Sequence, residues 1–287
     1  MKTGIVILNY NDYDTTKDMI ERIKSYKCLN HILIVDNKST DRSYSKLKKL
    51  ENKNIEVIKT DDNKGYAYGN NFGVRYLDSK YKIDNIIISN PDVIVSEDVI
   101  DTLINDLKNK EDISIIAPIV EEKGIISRGW KLPGFKEDLL SNINYFHKYS
   151  KKLMSYDEEY YNNKLSRVEA VHGCFFMIRL KDFKEVGLFD ENTFLYYEEN
   201  ILGRKLKEKG MFVYIDNTVK VIHDLSVSVD KTYNSIKKYK ILKNSQKYYE
   251  KNYNNLNIFG IILLRIFYYI SLIISYIVIF ITNIKRK

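Results

Sequence analysis

Short apolar runs alternate with longer amphipathic segments in the part of the chain before residue 118. The runs predict strands near residues 4–8, 32–35, 55–58, 86–89 and 113–117. Between the first two runs, apolar residues recur at helical spacing, as Met19, Ile20 and Ile23 do. Strands that alternate with helices are typical of a parallel sheet with helices on both faces. The pattern therefore predicts an α/β fold with a doubly wound, mostly parallel central sheet.

The pattern changes in the second half of the chain. Periodicity fails over residues 120–167, which predicts a long loop with short helices over one mouth of the sheet. An apolar run at 168–178 predicts another strand, and a helix begins within residues 194–200 and ends near Lys209. Two more short strands are predicted at 211–215 and 218–222, with His223 closing the second.

The C-terminal part of the chain is first basic and then strongly apolar. Residues 231–251 hold seven lysines against one acid, and residues 285–287 are all basic. Between these clusters, residues 258–281 are mostly apolar, and Arg265 is the only charged residue among them. A run of this length could span a bilayer, lie in its surface with Arg265 reaching the headgroups, or form a buried helix of the soluble core. The sequence leaves all three interpretations open.

Charge narrows the choice of partners. The net charge of +8 is concentrated in the two C-terminal clusters, which favours an anionic membrane surface over nucleic acid. No motif that reads nucleic acid is recognisable, and the positive charge lies away from the predicted crevice. We therefore predict an α/β domain at residues 1–228, a basic helical connector at 229–257 and an apolar, membrane-associated segment at 258–287.

Polar side chains follow four of the predicted strands. The carboxyl ends of parallel strands share one edge of a sheet, so these side chains converge on one crevice. Neither a GxGxxG nor a P-loop sequence is present, which excludes an ordinary dinucleotide or Walker-type site. A carboxylate after the second strand suits hydrogen bonds to a ribose or base, and one after Pro91 suits a hard cation on a diphosphate. Each cluster alone could be ordinary loop chemistry; the residues are Asn9, Asn11, Asp36, Ser39, Asp41, Asp62, Asn63, Gly65, Asn90 and Asp92.

Two further features have a structural and a catalytic interpretation. Glu198 and Glu199 open a predicted helix, where the helix dipole favours acids without any catalytic role. They could equally supply a general base to the same crevice. His223 is a lone histidine at a strand end, for which a structural role and a metal-ligand role are both open.

The motifs, in their order along the chain, resemble those of family-2-type inverting glycosyltransferases with the GT-A fold, in the rhamnosyltransferase-like branch. The resemblance covers about residues 3–250 and rests on the combined spacing of the motifs. These are Val6-Ile7-Leu8-Asn9-Tyr10-Asn11, Val35-Asp36-Asn37-Lys38-Ser39-Thr40-Asp41, Asn63 to Gly73, Ser89-Asn90-Pro91-Asp92-Val93, Gly173-Cys174-Phe175-Phe176, Gly187-Leu188-Phe189-Asp190-Glu191, Tyr197-Glu198-Glu199 and His223.

The resemblance implies a role for each part of the crevice. Asn90-Pro91-Asp92 stands where the family carries its DxD signature, so Asp92, with His223, would hold Mg²⁺ or Mn²⁺ on the donor diphosphate. Glu199 aligns with the family's catalytic aspartate, with Glu198 as the alternative base. Nucleotide-sugar contacts would come from Asn9, Asn11, Asp36, Ser39, Asp41, Asn63, Gly65, Asn70, Asn90 and Asp92, and acceptor contacts from Trp130, Gly173, Cys174, Phe175 and Arg204.

The resemblance also implies an activity. The chain would move a sugar, with rhamnose the nearest guess, from a nucleoside-diphosphate sugar to a hydroxyl of a lipid-linked or polysaccharide acceptor. It would act in cell-surface polysaccharide synthesis at the cytoplasmic face of the membrane. Glu199 stands in place of the usual Asp, which adds one methylene to the reach of the base. The loss of the usual acid after it, where Ile201 precedes Leu202, leaves a catalytically inactive, membrane-bound nucleotide-sugar-binding scaffold as an alternative. A nucleotidyltransferase is a further alternative, and it would release pyrophosphate.

Overall fold

The computed structural model describes residues 1–142, 146–224 and 235–285 of the chain. Its strands are β1 (Thr3–Asn9), β2 (His31–Asp36), β3 (Ile55–Lys59), β4 (Asn85–Ser89), β5 (Val93–Ile94), β6 (Ile113–Glu122), β7 (Ile125–Ser127), β8 (Leu165–Val168), β9 (Phe175–Arg179) and β10 (Phe212–His223). Its α-helices are α1 (Tyr13–Ile23), α2 (Ser43–Leu47), α3 (Tyr66–Lys80), α4 (Glu97–Asn109), α5 (Phe135–Ser141), α6 (His147–Met154), α7 (Leu180–Glu185), α8 (Glu198–Glu208), α9 (Ser235–Asn252) and α10 (Ile258–Lys285).

The strands form one sheet in the order β3-β2-β1-β4-β9-β6-β10-β5, with β7 on β6 and β8 on β10. The four strands from β3 to β4 are parallel, as the sequence predicts. The rest of the sheet is mixed, because β9 lies antiparallel between β4 and β6. The prediction of a mostly parallel sheet is therefore wrong for this half. The strand that separates β4 from β6 comes from much later in the chain, and local periodicity carries no information about such a pairing.

Continuous apolar strands arise here because both faces of the sheet are covered. Ile5 and Ile7 of β1 pack with Met19 of α1 on one face, whereas Val6 packs with Val74 of α3 on the other. All five side chains are at most 1 % exposed. Full burial of such a side chain stabilises the fold by about 1.5–3 kcal/mol. This two-sided core fixes the parallel strands and thereby the edge at which their polar ends meet.

Two local predictions are wrong, and a third is confirmed only in part. The predicted strand at 168–178 is divided, and the turn at 169–174 leaves the sheet between β8 and β9. The two strands predicted at 211–222 are one strand, β10, whose pairing with β6 shifts register between Asp216 and Lys220. The stretch at 120–167 contains short helices, α5 and α6, as predicted, but it also contains the β6–β7 hairpin, which was not predicted. A register shift and a sharp turn both depend on partners that are distant in sequence.

The C-terminal helices pack against one side of this domain. Helix α10 buries a stripe that contains Ile261, Leu264 and Ser271, and the rest of its described surface includes Phe259 at 78 % exposure. The ring of Tyr268 stacks on Tyr239 of α9. Within residues 1–142, 146–224 and 235–285, none of the helices combines the length and apolarity needed to cross a membrane. The part of the basic connector at 229–234 lies outside the described residues.

Candidate active site

The ends of β1 and β2 share a buried polar network. Asn9 and Asp36 are register partners in the two parallel strands, so their side chains lie side by side. The Asn9 Nδ2 atom donates to Asp36 Oδ2 at 2.9 Å and to Ser39 Oγ at 3.2 Å. Ser39 returns its backbone N–H to Asp36 Oδ1 at 3.0 Å. Asn11 completes the turn by donating its backbone N–H to Ser39 Oγ at 2.9 Å.

A second network ties β2 to the loop after β3. The Asn37 amide donates to Asn63 Oδ1 at 3.0 Å and to the Gly65 carbonyl at 3.1 Å. Gly65 has a φ of 106°, and a Cβ there would lie 2.1 Å from the Phe194 carbonyl oxygen. Only glycine fits this approach. The loop that precedes helix α8 is thereby held against the edge of the parallel sheet.

Asp92 and His223 meet at the other end of the crevice. Asp92 is only 7 % exposed, and its Oδ1 atom lies 3.2 Å from His223 Nε2. The other imidazole nitrogen, Nδ1, lies 2.6 Å from Glu122 Oε1. Burial disfavours the charged imidazolium, but contacts with Asp92, Cys174 and Glu122 raise the pKa of His223 to about 11. A divalent cation between Asp92 and His223 would displace this proton.

The Asp92–His223 pair fits a divalent cation. Two ligands of one six-coordinate cation, each about 2.1 Å from it, lie about 3 Å apart, which is close to the separation seen here. The mixture of carboxylate oxygen and imidazole nitrogen suits Mn²⁺, and Mg²⁺ also accepts carboxylates. Glu122 occupies the position of the carboxylate that commonly orients a metal-binding histidine through its second nitrogen. Sequence reasoning missed Glu122, because nothing in the pattern around it indicated its contact with His223.

Glu198 and Glu199 begin helix α8, as predicted, but their environments differ. Glu198 is 3 % exposed, and burial together with the charge of Glu199 holds its pKa well above the usual range. Glu199 is half-buried, and its Oε1 atom accepts the Gly173 backbone N–H at 3.2 Å. Burial raises the pKa of Glu199, while its hydrogen bonds with its own and the Gly173 N–H groups oppose the shift. Of the two acids, Glu199 is the one whose carboxylate contacts Gly173, in the Gly173–Cys174 segment that hydrogen-bonds to Asn90.

The segment Gly173–Cys174 connects the two halves of the crevice. The Cys174 carbonyl accepts the Asn90 backbone N–H at 2.8 Å. The Gly173 carbonyl accepts the Tyr66 hydroxyl at 2.7 Å, and a Cβ on Gly173 would lie 2.5 Å from Glu199 Oε1. Hydrogen bonds therefore connect the Asp92 loop, through the backbone of Gly173–Cys174, to the Glu199 carboxylate. Cys174 itself is a free thiol whose pKa is raised by burial.

The remaining residues predicted from the resemblance lie at different depths. Trp130 is close to the base candidates, because its Nε1–H donates to Asn200 Oδ1 at 2.8 Å. Asn70 is fully buried on α3 and donates to the Tyr66 carbonyl. Phe175 is also fully buried and packs in the core, and Arg204 donates to Asn254 Oδ1 at 2.5 Å beside the C-terminal helices.

Asp41 has a local role in the structure. It lies at the start of α2, where its Oδ1 atom accepts the Ser43 N–H at 2.8 Å. The acceptor and nucleotide roles of these residues stay predictions. Sequence reasoning did not assign Asn37 and Tyr66 to the site, although both lie inside the motifs given above. The Asn37 side chain donates to the Gly65 carbonyl, and the Tyr66 hydroxyl donates to the Gly173 carbonyl.

The sequence of this chain is similar to those of known glycosyltransferases. The family model for glycosyl transferase family 2 matches residues 4–187, more than half of the chain. The low-salt glycan biosynthesis hexosyltransferase Agl10 of Haloferax volcanii is 26 % identical over 226 residues, which cover 78 % of this chain and 67 % of that protein. The rhamnosyltransferase WbbL of Escherichia coli K12 is 24 % identical over 228 residues, which cover 76 % of this chain and 82 % of that protein.

Solved structures support the fold. GalNAc-T7 with UDP, GalNAc and Mn²⁺ superposes with a TM-score of 0.61 at 16 % identity, over 87 % of this chain and 48 % of that one. The chain thus spans about half the length of that protein. The mannosyltransferase PcManGT of Pyrobaculum calidifontis, in complex with GDP-Man and Mn²⁺, gives a TM-score of 0.58 at 10 % identity, over 93 % of this chain and 73 % of that one.

The sheet, with its polar strand ends along one edge, has the GT-A-like fold of the two solved glycosyltransferases above. The match to the family model also identifies the sequence family. The chain belongs to glycosyl transferase family 2, as the sequence motifs predict. The prediction that it is a glycosyltransferase is confirmed.

Proposed function

We propose that the chain transfers a hexose-type sugar from a nucleoside-diphosphate donor to a hydroxyl of a lipid-linked or polysaccharide acceptor, with inversion at the anomeric carbon. One observation carries the proposal. The Gly173–Cys174 segment bonds to Glu199 on one side and to Asn90 on the other, so the base candidate and the cation site share one rigid support. Curated relatives that are a hexosyltransferase and a rhamnosyltransferase support the reaction class.

The donor nucleotide would bind across the ends of β1, β2 and β3. Asp36 is fully buried, but its carboxylate is surrounded by donors from Asn9 and Ser39, which fix it for a hydrogen bond to a ribose or base. Lys59 Nζ lies 3.9 Å from Asp36 Oδ1. Asn37 holds the Asn63–Gly65 turn that would close the pocket. These side chains are ordered by one another before a ligand arrives, which lowers the entropic cost of binding.

Asp92 and His223 would hold the divalent cation. When bound, the cation neutralises charge on the diphosphate and so stabilises the departing nucleoside diphosphate. Asp92 contributes most of the negative charge from this loop, since Asn90 stands at the first position of the signature. Glu122 would orient His223 through its second nitrogen, at 2.6 Å.

Glu199 would be the general base. Its carboxylate would take the proton of the acceptor hydroxyl as that oxygen attacks the anomeric carbon opposite the departing diphosphate. A raised pKa makes this carboxylate a stronger proton acceptor than an ordinary glutamate. Glu198 is less suited to the role, because it is nearly inaccessible.

We expect transfer or hydrolysis of one nucleotide sugar to depend on added Mg²⁺ or Mn²⁺ and to release nucleoside diphosphate. The check is a panel of donors that includes UDP, GDP and dTDP sugars, with the nucleotide products resolved by chromatography. The stereochemistry of the product, read by NMR, tests inversion. Release of pyrophosphate from a nucleotide substrate, or no binding and no turnover of any donor, would contradict the proposed reaction.

The proposed site of action is the cytoplasmic face of the membrane, with α10 lying in the membrane surface. Support comes from the way α10 packs. Ile261 and Leu264 face the protein, while Phe259, Ile266 and Ile270 are exposed. A helix with one face on the domain and an apolar face outside suits an interface rather than a separate span. The lysines of α9 add attraction to anionic headgroups.

Replacing Ile266 and Ile270 together with Glu is expected to weaken binding to anionic vesicles by roughly a hundredfold. Losing the burial of two such side chains in the bilayer costs at least about 3 kcal/mol. Co-sedimentation with phosphatidylglycerol–phosphatidylcholine vesicles measures the effect. Ile125→Glu, at a 70 % exposed position on β7, is the matched control and should bind like the wild type. Unchanged binding of the double variant would rule out this face as the membrane contact.

A further inference from the structure

The backbone just before the base candidates is held in an unfavourable conformation. Tyr196 and Tyr197 both have a φ of 72°, in the left-handed region, and Glu198 and Glu199 follow at once. Each such residue other than glycine costs about 1 kcal/mol or more and persists only where its surroundings impose it. The direction in which helix α8 presents Glu199 therefore depends on the groups that hold this pair of tyrosines.

Helices α5 and α9 hold the turn from two sides. The Tyr197 hydroxyl donates to Asp138 Oδ1 of α5 at 2.5 Å, and the Tyr197 ring lies 5.4 Å from that of Tyr249 on α9. Ser245 of α9 donates its hydroxyl to the Leu195 carbonyl at 2.8 Å. The turn is thus fixed at its side chain and at its backbone, by two elements that themselves lie outside the crevice.

Asp138 is in turn fixed by α9. The Gln246 amide donates to the Asp138 carbonyl at 3.1 Å. Asp138 and Glu250 are both buried, and each has one carboxyl oxygen without a hydrogen-bond donor in the described part of the chain. Burial and the neighbouring Asp138 carboxylate raise the pKa of Glu250 to about 8. The Gln246–Asp138 hydrogen bond therefore joins α9 to α5 behind Tyr197.

The start of the same loop is also held by α9. Asp190 Oδ2 accepts the hydroxyls of Tyr248 and Tyr253 at 2.8 and 2.6 Å. Tyr248 and Ser245 thus join α9 to both ends of the loop that leads into α8, and Tyr253 adds a contact from the residue directly after α9. The helix that the sequence marks only as a basic connector is therefore attached to the loop that leads to the base candidate.

We propose that Tyr197, Asp138 and helix α9 form a positioning device for Glu199, which keeps its carboxylate at the Gly173 N–H and facing the acceptor. None of these groups touches the reacting atoms, so they act through Glu199 alone. The proposal rests on the proposed function, in which Glu199 is the base. It assigns a catalytic purpose to the C-terminal helical part, beyond attachment to a membrane.

Tyr197→Phe is expected to lower kcat by roughly tenfold to a hundredfold and to change the KM for the donor by less than about twofold. A displacement of about 1 Å in a catalytic group has effects of this size, whereas the donor contacts lie on other loops. Tyr214→Phe is the matched control, because it removes another tyrosine–aspartate hydrogen bond, to Asp112, away from the crevice. It should leave kcat unchanged.

A double-variant comparison separates positioning from general damage. If Tyr197 acts through Glu199, Tyr197→Phe causes no further loss in a Glu199→Gln background. Asp138→Asn keeps an acceptor oxygen for the Tyr197 hydroxyl and should retain most of the wild-type kcat. Equal factors in both backgrounds, or an unchanged kcat for Tyr197→Phe, would overturn the proposal.

Two safeguards keep the result interpretable. Binding of the nucleoside diphosphate, measured by calorimetry, shows whether each variant is folded at the donor site. Should Tyr197→Phe fail to fold, Ser245→Ala removes the backbone contact at Leu195 instead and should lower kcat in the same way; an unchanged kcat there refutes the proposal. If Glu199→Gln itself keeps full activity, the base assignment fails. If it loses activity while Tyr197→Phe does not, only the positioning proposal fails.

Discussion

Glu199→Gln is expected to reduce sugar transfer by about a thousandfold while binding of the donor is retained. The amide keeps the size of the side chain and its ability to accept the Gly173 N–H, but it cannot take a proton. General-base catalysis contributes about a hundredfold to ten-thousandfold in rate. Initial rates of nucleoside-diphosphate release in the presence of acceptor measure the loss.

The pH profile gives a second readout of the same variant. Because burial raises the pKa of Glu199, the wild-type rate should fall on acidification at a pH above the ordinary glutamate value of 4.5. The sign follows from the role, since only the deprotonated carboxylate acts as a base. This acidic limb should disappear in Glu199→Gln. Glu208→Gln, on the exposed last turn of the same helix, is the control and should behave as wild type. A wild-type rate for Glu199→Gln, or a larger loss for Glu198→Gln, would transfer the role to another group.

Asp92→Asn is expected to abolish metal-dependent turnover, with a loss of at least about a thousandfold, and to leave the fold intact. The substitution removes the carboxylate charge from the cation site but keeps an oxygen of the same geometry. Charge stabilisation by a cation contributes several kcal/mol to displacement of a diphosphate, and each 1.4 kcal/mol is a factor of ten. Hydrogen bonds of the Asp92 backbone, such as that of its carbonyl with the Asp224 N–H at 2.9 Å, do not involve the replaced group.

Binding of Mn²⁺ separates loss of the cation site from loss of structure. Electron paramagnetic resonance of Mn²⁺ with nucleoside diphosphate should show tight binding to the wild type and at least tenfold weaker binding to Asp92→Asn. Asp98→Asn, at an exposed acid in the first turn of α4, should bind as the wild type does. Full activity and unchanged Mn²⁺ affinity in Asp92→Asn would show that the cation lies elsewhere.

Most of the polar sheet edge at which the donor is proposed to bind could be predicted from the sequence. The strands β1 to β4 are short, continuous and β-branched, and each is followed at once by its polar residues, so the local pattern contained both the element and its chemistry. Parallel pairing of these strands then places Asn9 beside Asp36 without further information. Gly65 also lies in a loop directly after a predicted strand, and glycine is the residue that best tolerates a close backbone contact there.

The region around the proposed base, Glu199, could be predicted only in part. The motif marks Glu199 as the candidate base, but the choice between Glu198 and Glu199 depends on burial, which the sequence of two adjacent acids does not reveal. The side chain of Phe175, whose acceptor role stays a prediction, packs in the core, because Phe175 begins β9, a strand enclosed by β4 and β6. The contact between Glu199 and Gly173 needs the turn that divides β8 from β9, and that turn was predicted as continuous strand.

The sequence alone determined the family, the parallel half of the sheet and the polar ends of its strands. It could do so because strand period, turn residues and motif spacing are local properties of the chain. Only the tertiary structure placed Glu122 behind His223, put β9 between β4 and β6, and brought Asp138 and α9 to the turn before Glu199. These contacts join segments that lie about 50 to 120 residues apart, and they form where packing and burial of polar groups select one partner among many.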